Sequence, residues 1–127
     1  MKMCELQGVI TIPYSFLKEN DEGSTVFEAA VVQAVDDILT ALGENPKEAI
    51  YRILKNFYNI RKEEIPCKIE GFANGIEQTF GYAVAKLIEI KIIERLHSRY
   101  RDFYYVPKKG ELDFVEFIVN LQRYLTR

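Results

Sequence analysis

Between residues 25 and 98, four apolar-periodic segments follow one another, each closed by helix punctuation. A chain patterned in this way must bury helical faces against one another. In the first segment Phe27, Val31, Ala34, Val35, Ile38, Leu39 and Leu42 recur at spacings of one, three and four, which aligns them along one side of a helix over 25–42. Thr25 and Glu28 have capping-box spacing at its start, and Gly43 is placed for a left-handed turn at its end. A second helix over 46–58 is announced by Asn45-Pro46-Lys47-Glu48, an amide cap followed by proline at the first helical position. Its face is Ala49, Ile50, Ile53, Leu54 and Phe57, and Asn59 is its stop.

From Asn59 to Pro66, apolar residues flank a charged turn, so the segment reads as a loop with one helical turn, pinned to the core by Ile60 and Ile65. Ile69, Phe72, Ala73, Ile76 and Phe80 mark a third helix over 69–80, and Tyr82 to Ser98 form a fourth. The fourth is apolar on more than one narrow stripe, which predicts either a central helix or an oligomer contact. Gly71, Gly75 and Gly81 are costly within helices, at about 1 kcal/mol each against alanine, and predict close approach of backbones. They make no phosphate loop, since no Lys-Ser/Thr follows them.

Outside this run the pattern is sparser. Residues 8–12 are short and β-branched and end at Pro13, and Phe103-Tyr104-Tyr105-Val106-Pro107 has strand composition. These two segments could pair. Phe114, Phe117, Ile118, Leu121 and Leu125 give a last helix over 112–125, with Asp113 at its start and Arg123 and Arg127 at its end, as the macrodipole favours. The expected fold is mainly α, a compact bundle of about five helices with room for one two-stranded sheet, 8–12 with 103–107. At 127 residues and 48% hydrophobic, the chain suits a single domain. Within it, 1–23 is an N-terminal strand and acidic connector, 24–98 a four-helix core, and 99–127 a basic-aromatic segment with the C-terminal helix.

The succession Ala34-Val35-Asp36-Asp37-Ile38-Leu39, Leu42-Gly43, Lys47-Glu48-Ala49-Ile50-Tyr51, Leu54, Tyr58-Asn59-Ile60, Ile65-Pro66, Phe72, Ile76 and Phe80-Gly81-Tyr82-Ala83 resembles an archaeal family of helical "output domains", the fifth class named after Nitrosopumilus. The resemblance covers residues 30–97, and the positions that carry it are packing and turn positions. It implies a helical regulatory or interaction module and brings no catalytic residues with it.

Chemistry-bearing residues do not converge in the sequence. Asp36-Asp37 and Glu63-Glu64 are neighbours, and helical neighbours point about 100° apart, so each pair reads as solvated charge. His97 has no orienting carboxylate beside it and reads as a structural or surface histidine. Cys4 and Cys67 form no CxxC pair and have no second metal ligand nearby, so no metal or other cofactor is expected. A disulfide between them stays open, but they read more simply as reduced thiols of a cytoplasmic protein, and no run approaches the ~20 apolar residues of a membrane span.

Charge is uneven, at −6 over residues 1–50 and +4 over 51–127, which would polarise the molecule if the halves occupied different faces. Nucleic acid is disfavoured as a partner, because a recognition helix over 69–80 would carry Glu70 and Glu77 and no Lys or Arg. The strongest surface candidate runs from Arg95 through Arg99, Arg101, Tyr104 and Tyr105 to Lys109, because arginine and tyrosine combine broad contact area with fixed hydrogen-bond geometry; the other reading of the same segment is an aromatic strand packed on the core with basic residues solvating its rim. The expected activity is therefore non-catalytic: self-association into a homo-oligomer, with an acidic protein as a further partner. The alternative is a small nucleic-acid-associated regulator that uses 95–109.

Overall fold

The computed structural model describes residues 21–107 and 113–126, which fold into five α-helices and one 3-10 turn. The helices are α1 (Asp21–Leu42), α2 (Glu44–Tyr58), α3 (Ile69–Phe80), α4 (Tyr82–Arg99) and α5 (Phe114–Thr126), with the 3-10 turn Lys62–Lys68 between α2 and α3. The helical bundle predicted from periodicity is the observed architecture. Of the two predicted strands, 8–12 lies outside the described residues, and 103–107 is irregular. The expectation of a strand fails at 103–107 because its aromatic rings dock on α5 while, among the described residues, its backbone has no ladder to join.

The central element is α1. It packs against α2, the 3-10 turn, α4 and α5, and its Phe27, Val31, Val35 and Leu39 have no exposed surface. Ala30 and Ala34 on the same helix are buried too, and their small side chains let neighbouring helices approach. Of the two readings of the fourth helix, central element or oligomer contact, this excludes the first: α4 buries Ala85, Ile88, Ile92, Ile93 and Leu96 but leaves Val84 43% and Leu87 56% exposed. A correction also applies to three residues placed on core faces. Phe57 (76% exposed), Phe80 (40%) and Leu42 (49%) all lie in the last turn of their helices, where the apolar stripe runs past the core.

Helix starts and stops have identifiable causes. At Asn59 the backbone turns left-handed (φ 55°, ψ 42°), and the N–H groups of Asn59 and Ile60 both donate to the Leu54 carbonyl, ending α2 as expected. Ile60 and Ile65 then anchor the connection in the core. The start of α2 differs from the expectation: Gly43, not Asn45, is the N-cap. The first N–H bonded to this cap belongs to Lys47, which donates to the Gly43 carbonyl, so Pro46 precedes it and its missing N–H costs no helical bond. Gly43 (φ 119°, ψ 156°) and Gly81 (φ 91°, ψ 165°) occupy an extended region at positive φ that is essentially reserved for glycine, not the left-handed helical one. Helix α1 is already formed at Asp21, which places Thr25 inside the helix and not at its cap.

The glycines of α3 permit close approach, but of side chains, not of the predicted backbones. A Cβ on Gly75 would stand 3.0 Å from Leu54 Cδ2 and 3.2 Å from the Tyr58 ring, and one on Gly71 would stand 3.0 Å from Ile60 Cδ1. Cys67 is disulfide-bonded to a partner outside the described residues, which overturns the expectation of a reduced thiol. It stands at the end of the 3-10 turn and is only partly covered.

Candidate interaction surface

The basic-aromatic segment is distributed over three supports: the last turns of α4, the turn and extended stretch 100–107, and the start of α5. Arg95 is held to α1. Its Nε and Nη2 both donate to Asp37 Oδ2, at 3.1 and 2.9 Å, while Gln33 Nε2 donates to Asp37 Oδ1 at 2.8 Å. One turn further on, the Arg99 guanidinium lies 5.6 Å from the centre of the Tyr100 ring. Gln33, Asp37, Arg95, Ser98 and Arg99 border a shallow cleft of about 360 Å³ between α1 and α4.

Beyond α4 the chain alternates. Phe103 is buried, Tyr104 is 84% exposed, Tyr105 is half-buried and Val106 is 81% exposed. The rings of Phe103 and Tyr105 both meet Phe117 edge-on with centres 5.5 Å apart, so residues two apart in sequence dock on one ring of α5. Tyr105 is fastened further by its hydroxyl, which donates to Glu116 Oε1 at 2.6 Å and accepts from the Asp113 N–H at 3.3 Å. Burial and the Glu116 carboxylate push its phenol up to about 12. Asp113 caps α5, accepting on Oδ1 from the Glu116 N–H at 3.0 Å.

The five candidate residues therefore do not form one patch with one role. Arg95 and Tyr105 are fastened to neighbouring elements, whereas Arg99, Arg101 and Tyr104 are exposed. The alternation of Phe103 and Tyr105 with Tyr104 and Val106 was legible as strand composition. The hydroxyl contact that separates Tyr105 from Tyr104 had no sequence signal, since it depends on where α5 starts.

A second constellation escaped the sequence reading. Asp36 Oδ1 accepts from the Tyr51 hydroxyl at 2.9 Å and lies 3.1 Å from Lys62 Nζ and 3.7 Å from Lys47 Nζ. Burial alone would raise this carboxyl, but the bonds from Lys62 and Tyr51 and the charges of Lys62 and Lys47 outweigh it and hold Asp36 below its ordinary value. Burial and the Asp36 carboxylate raise the Tyr51 phenol. Asp36 thus joins α1, α2 and the 3-10 turn, and the expectation of two merely solvated aspartates is corrected for both Asp36 and Asp37. Glu64 likewise accepts from the Arg61 N–H at 3.0 Å and stands 3.4 Å from Lys68 Nζ.

Among the described residues, no group of three His, Cys, Asp or Glu side chains is placed to hold a metal ion, and no helix is long and apolar enough to cross a membrane. No protein-family model, curated protein or solved structure matches the sequence.

Proposed function

We propose that this chain is a non-catalytic interaction or regulatory module that self-associates as a homodimer, and that it belongs with the archaeal output domains it resembles over residues 30–97. The observation that carries this reading is the exposed pair Tyr104 and Val106, at 84% and 81%, held out on a stretch whose alternate residues are anchored in the core. A large apolar side chain on a fixed backbone offers contact area without the entropy cost of ordering a loose loop. Leu87 and Val84 on the outer side of α4 add further apolar surface.

An acidic protein segment is the second partner in this reading, recognised through Arg99 and Arg101. The alternative, a nucleic-acid-associated regulator using 95–109, draws on the same exposed arginines, Arg99 and Arg101, since Arg95 is paired with Asp37. Sedimentation equilibrium from about 1 to 500 µM tests self-association, since weak contacts require the upper end of such a range. A mass of twice 14.8 kDa is expected; the monomer mass throughout would end the reading. Salt-sensitive retention on DNA or RNA would favour the alternative.

A cytoplasmic setting is part of the proposal, and the disulfide at Cys67 supplies its test. A disulfide already present in cells whose thiols are alkylated before lysis would place the protein in an oxidising compartment and end the cytoplasmic reading; one that forms only after lysis would keep it.

A further inference from the structure

Cys67 is cross-linked, and the chain has one other cysteine, Cys4. Residues 5–20 join Cys4 to Asp21, the first residue of α1, and an extended chain of that length reaches about 50 Å. The distance to cover is far shorter. Cys67 Sγ lies 4.0 Å from Glu28 Oε2, and Glu28 is two turns into α1, about 10 Å along its axis from Asp21. The connection is therefore long enough for a bond from Cys4 to Cys67.

The position of Cys67 makes such a bond more than a staple. It lines a cleft of about 370 Å³ between the end of α2 and the start of α3, with Tyr58, Asn59, Ile60, Ile69 and Gly71 around it. The walls of this cleft are held without the sulfur: Ile60, Ile65, Pro66 and Ile69 are buried, and Lys68 Nζ donates to the Asn59 carbonyl at 2.9 Å. Breaking the bond leaves the cleft standing. Cys67 itself is only partly covered, which admits an attacking thiolate. The Glu28 carboxylate is also placed to accept from the S–H that reduction creates, so the site suits the thiol as well as the disulfide.

We propose that Cys4 and Cys67 form a redox-sensitive latch: the bond holds the residues flanking Cys4 in the cleft, and its reduction releases them and opens the cleft. The occupant follows from the bond. Bridged cysteines have Cα atoms about 4.4–6.8 Å apart, so the neighbours of Cys4 are brought to the cleft that Cys67 lines, and the nearest large apolar ones are Met3 and Leu6. Tyr58, Ile60 and Ile69 offer them apolar contact. Opening consumes two equivalents of a low-molecular-weight thiol such as glutathione. One thiolate attacks a sulfur of the bridge, the S–S bond breaks to leave a mixed disulfide, and the displaced cysteine thiolate takes a proton. The second attacks the mixed disulfide, leaving two protein thiols and the oxidised reductant.

The test uses the full chain. Peptide mapping without reductant should recover Cys4 joined to Cys67; Cys67 joined to Cys67 of a second copy would overturn the latch. In glutathione redox buffers, the oxidised fraction is then measured by alkylation after an acid quench, for the wild type, Met3→Ser/Leu6→Ser and Met3→Leu/Leu6→Met. Docked apolar side chains raise the effective concentration of Cys4 at Cys67, so the serine variant should be reduced at least about tenfold more readily and the apolar exchange should match wild type. An equilibrium constant unchanged by serine would mean a tether with nothing in the cleft, and the proposal would fail.

Amide hydrogen exchange supplies the second readout. Opening any cross-link lowers global stability, which the buried middle of α4 reports, so the latch requires the amides of 58–60 and 68–71 to quicken by more than those of α4. Cys4→Ser should match the reduced wild type. Cleft amides that quicken no more than α4 would leave a structural cross-link in place of a latch.

Discussion

Asp36 has three cationic or hydroxyl partners on two neighbouring elements, and its carboxyl is held below its ordinary value. Its contribution to stability is therefore complete above the unfolded carboxylate pKa of about 3.9 and is lost as pH falls through that value and then the folded one. Asp36→Ala should cost about 1–3 kcal/mol at pH 7, because it leaves the Tyr51 hydroxyl and two ammonium groups without their acceptor, and the difference from wild type should close below about pH 4. Chemical denaturation at pH 7 and pH 3.5 measures both. Gly75 makes the opposite kind of demand, for space. Alanine there would gain about 1 kcal/mol in helix propensity, but its Cβ would press on Leu54 and Tyr58, both packed against the core. Overpacking of this kind costs about 1–3 kcal/mol, so Gly75→Ala should lower the melting temperature. Neither residue's partners could be read from the chain: the glycine announced close packing without saying against what, and Asp36-Asp37 looked like surface charge because its cationic partners lie 11 to 58 positions away.

Local signals located the elements, and tertiary contacts set their ends and their roles. Helices α3 and α4 begin and end within a residue of the predicted bounds because Gly81 separates them and the apolar period is unbroken. The start of α2 moved two residues toward Gly43, since a positive-φ glycine supplied the cap ahead of the asparagine. Strand composition at 103–107 reported the correct alternation, but the segment packs on α5 without forming a strand. That stretch is tied to α5 through Tyr105, whose hydroxyl reaches both the carboxylate of Glu116 and the backbone N–H of Asp113. Tyr105→Phe should loosen this joint by about 1–2 kcal/mol while preserving the ring contact with Phe117. Because the folded phenol is pushed up to about 12 from the ordinary 10, its stabilisation is complete below pH 10 and lost as pH rises from there to about 12. An absorbance titration at the tyrosinate band should lose a late-titrating phenol in Tyr105→Phe.

At the scale of the molecule, the sequence asymmetry of −6 and +4 does not translate simply into an acidic and a basic face. Part of it is folded inward: Asp36 and Asp37 of α1, from the acidic half, pair with Lys62 and Arg95 from the basic half. This follows from α1 being the element on which the others pack, so that its acids meet the cations of chain segments that come later. The α1–α4 pair is the clearest case for a direct test, since Arg95 and Asp37 are both partly exposed and their removal opens no cavity. Asp37→Arg and Arg95→Asp should each destabilise the fold, and the double exchange should recover part of the loss. Pairs of this kind couple by about 0.2–1 kcal/mol, and that coupling should shrink as salt is raised from about 0.05 to 0.5 M. If the two single changes simply add, the charges of the two halves are neighbours without being partners, and the asymmetry of the sequence reaches the surface as a field available to an acidic or basic ligand.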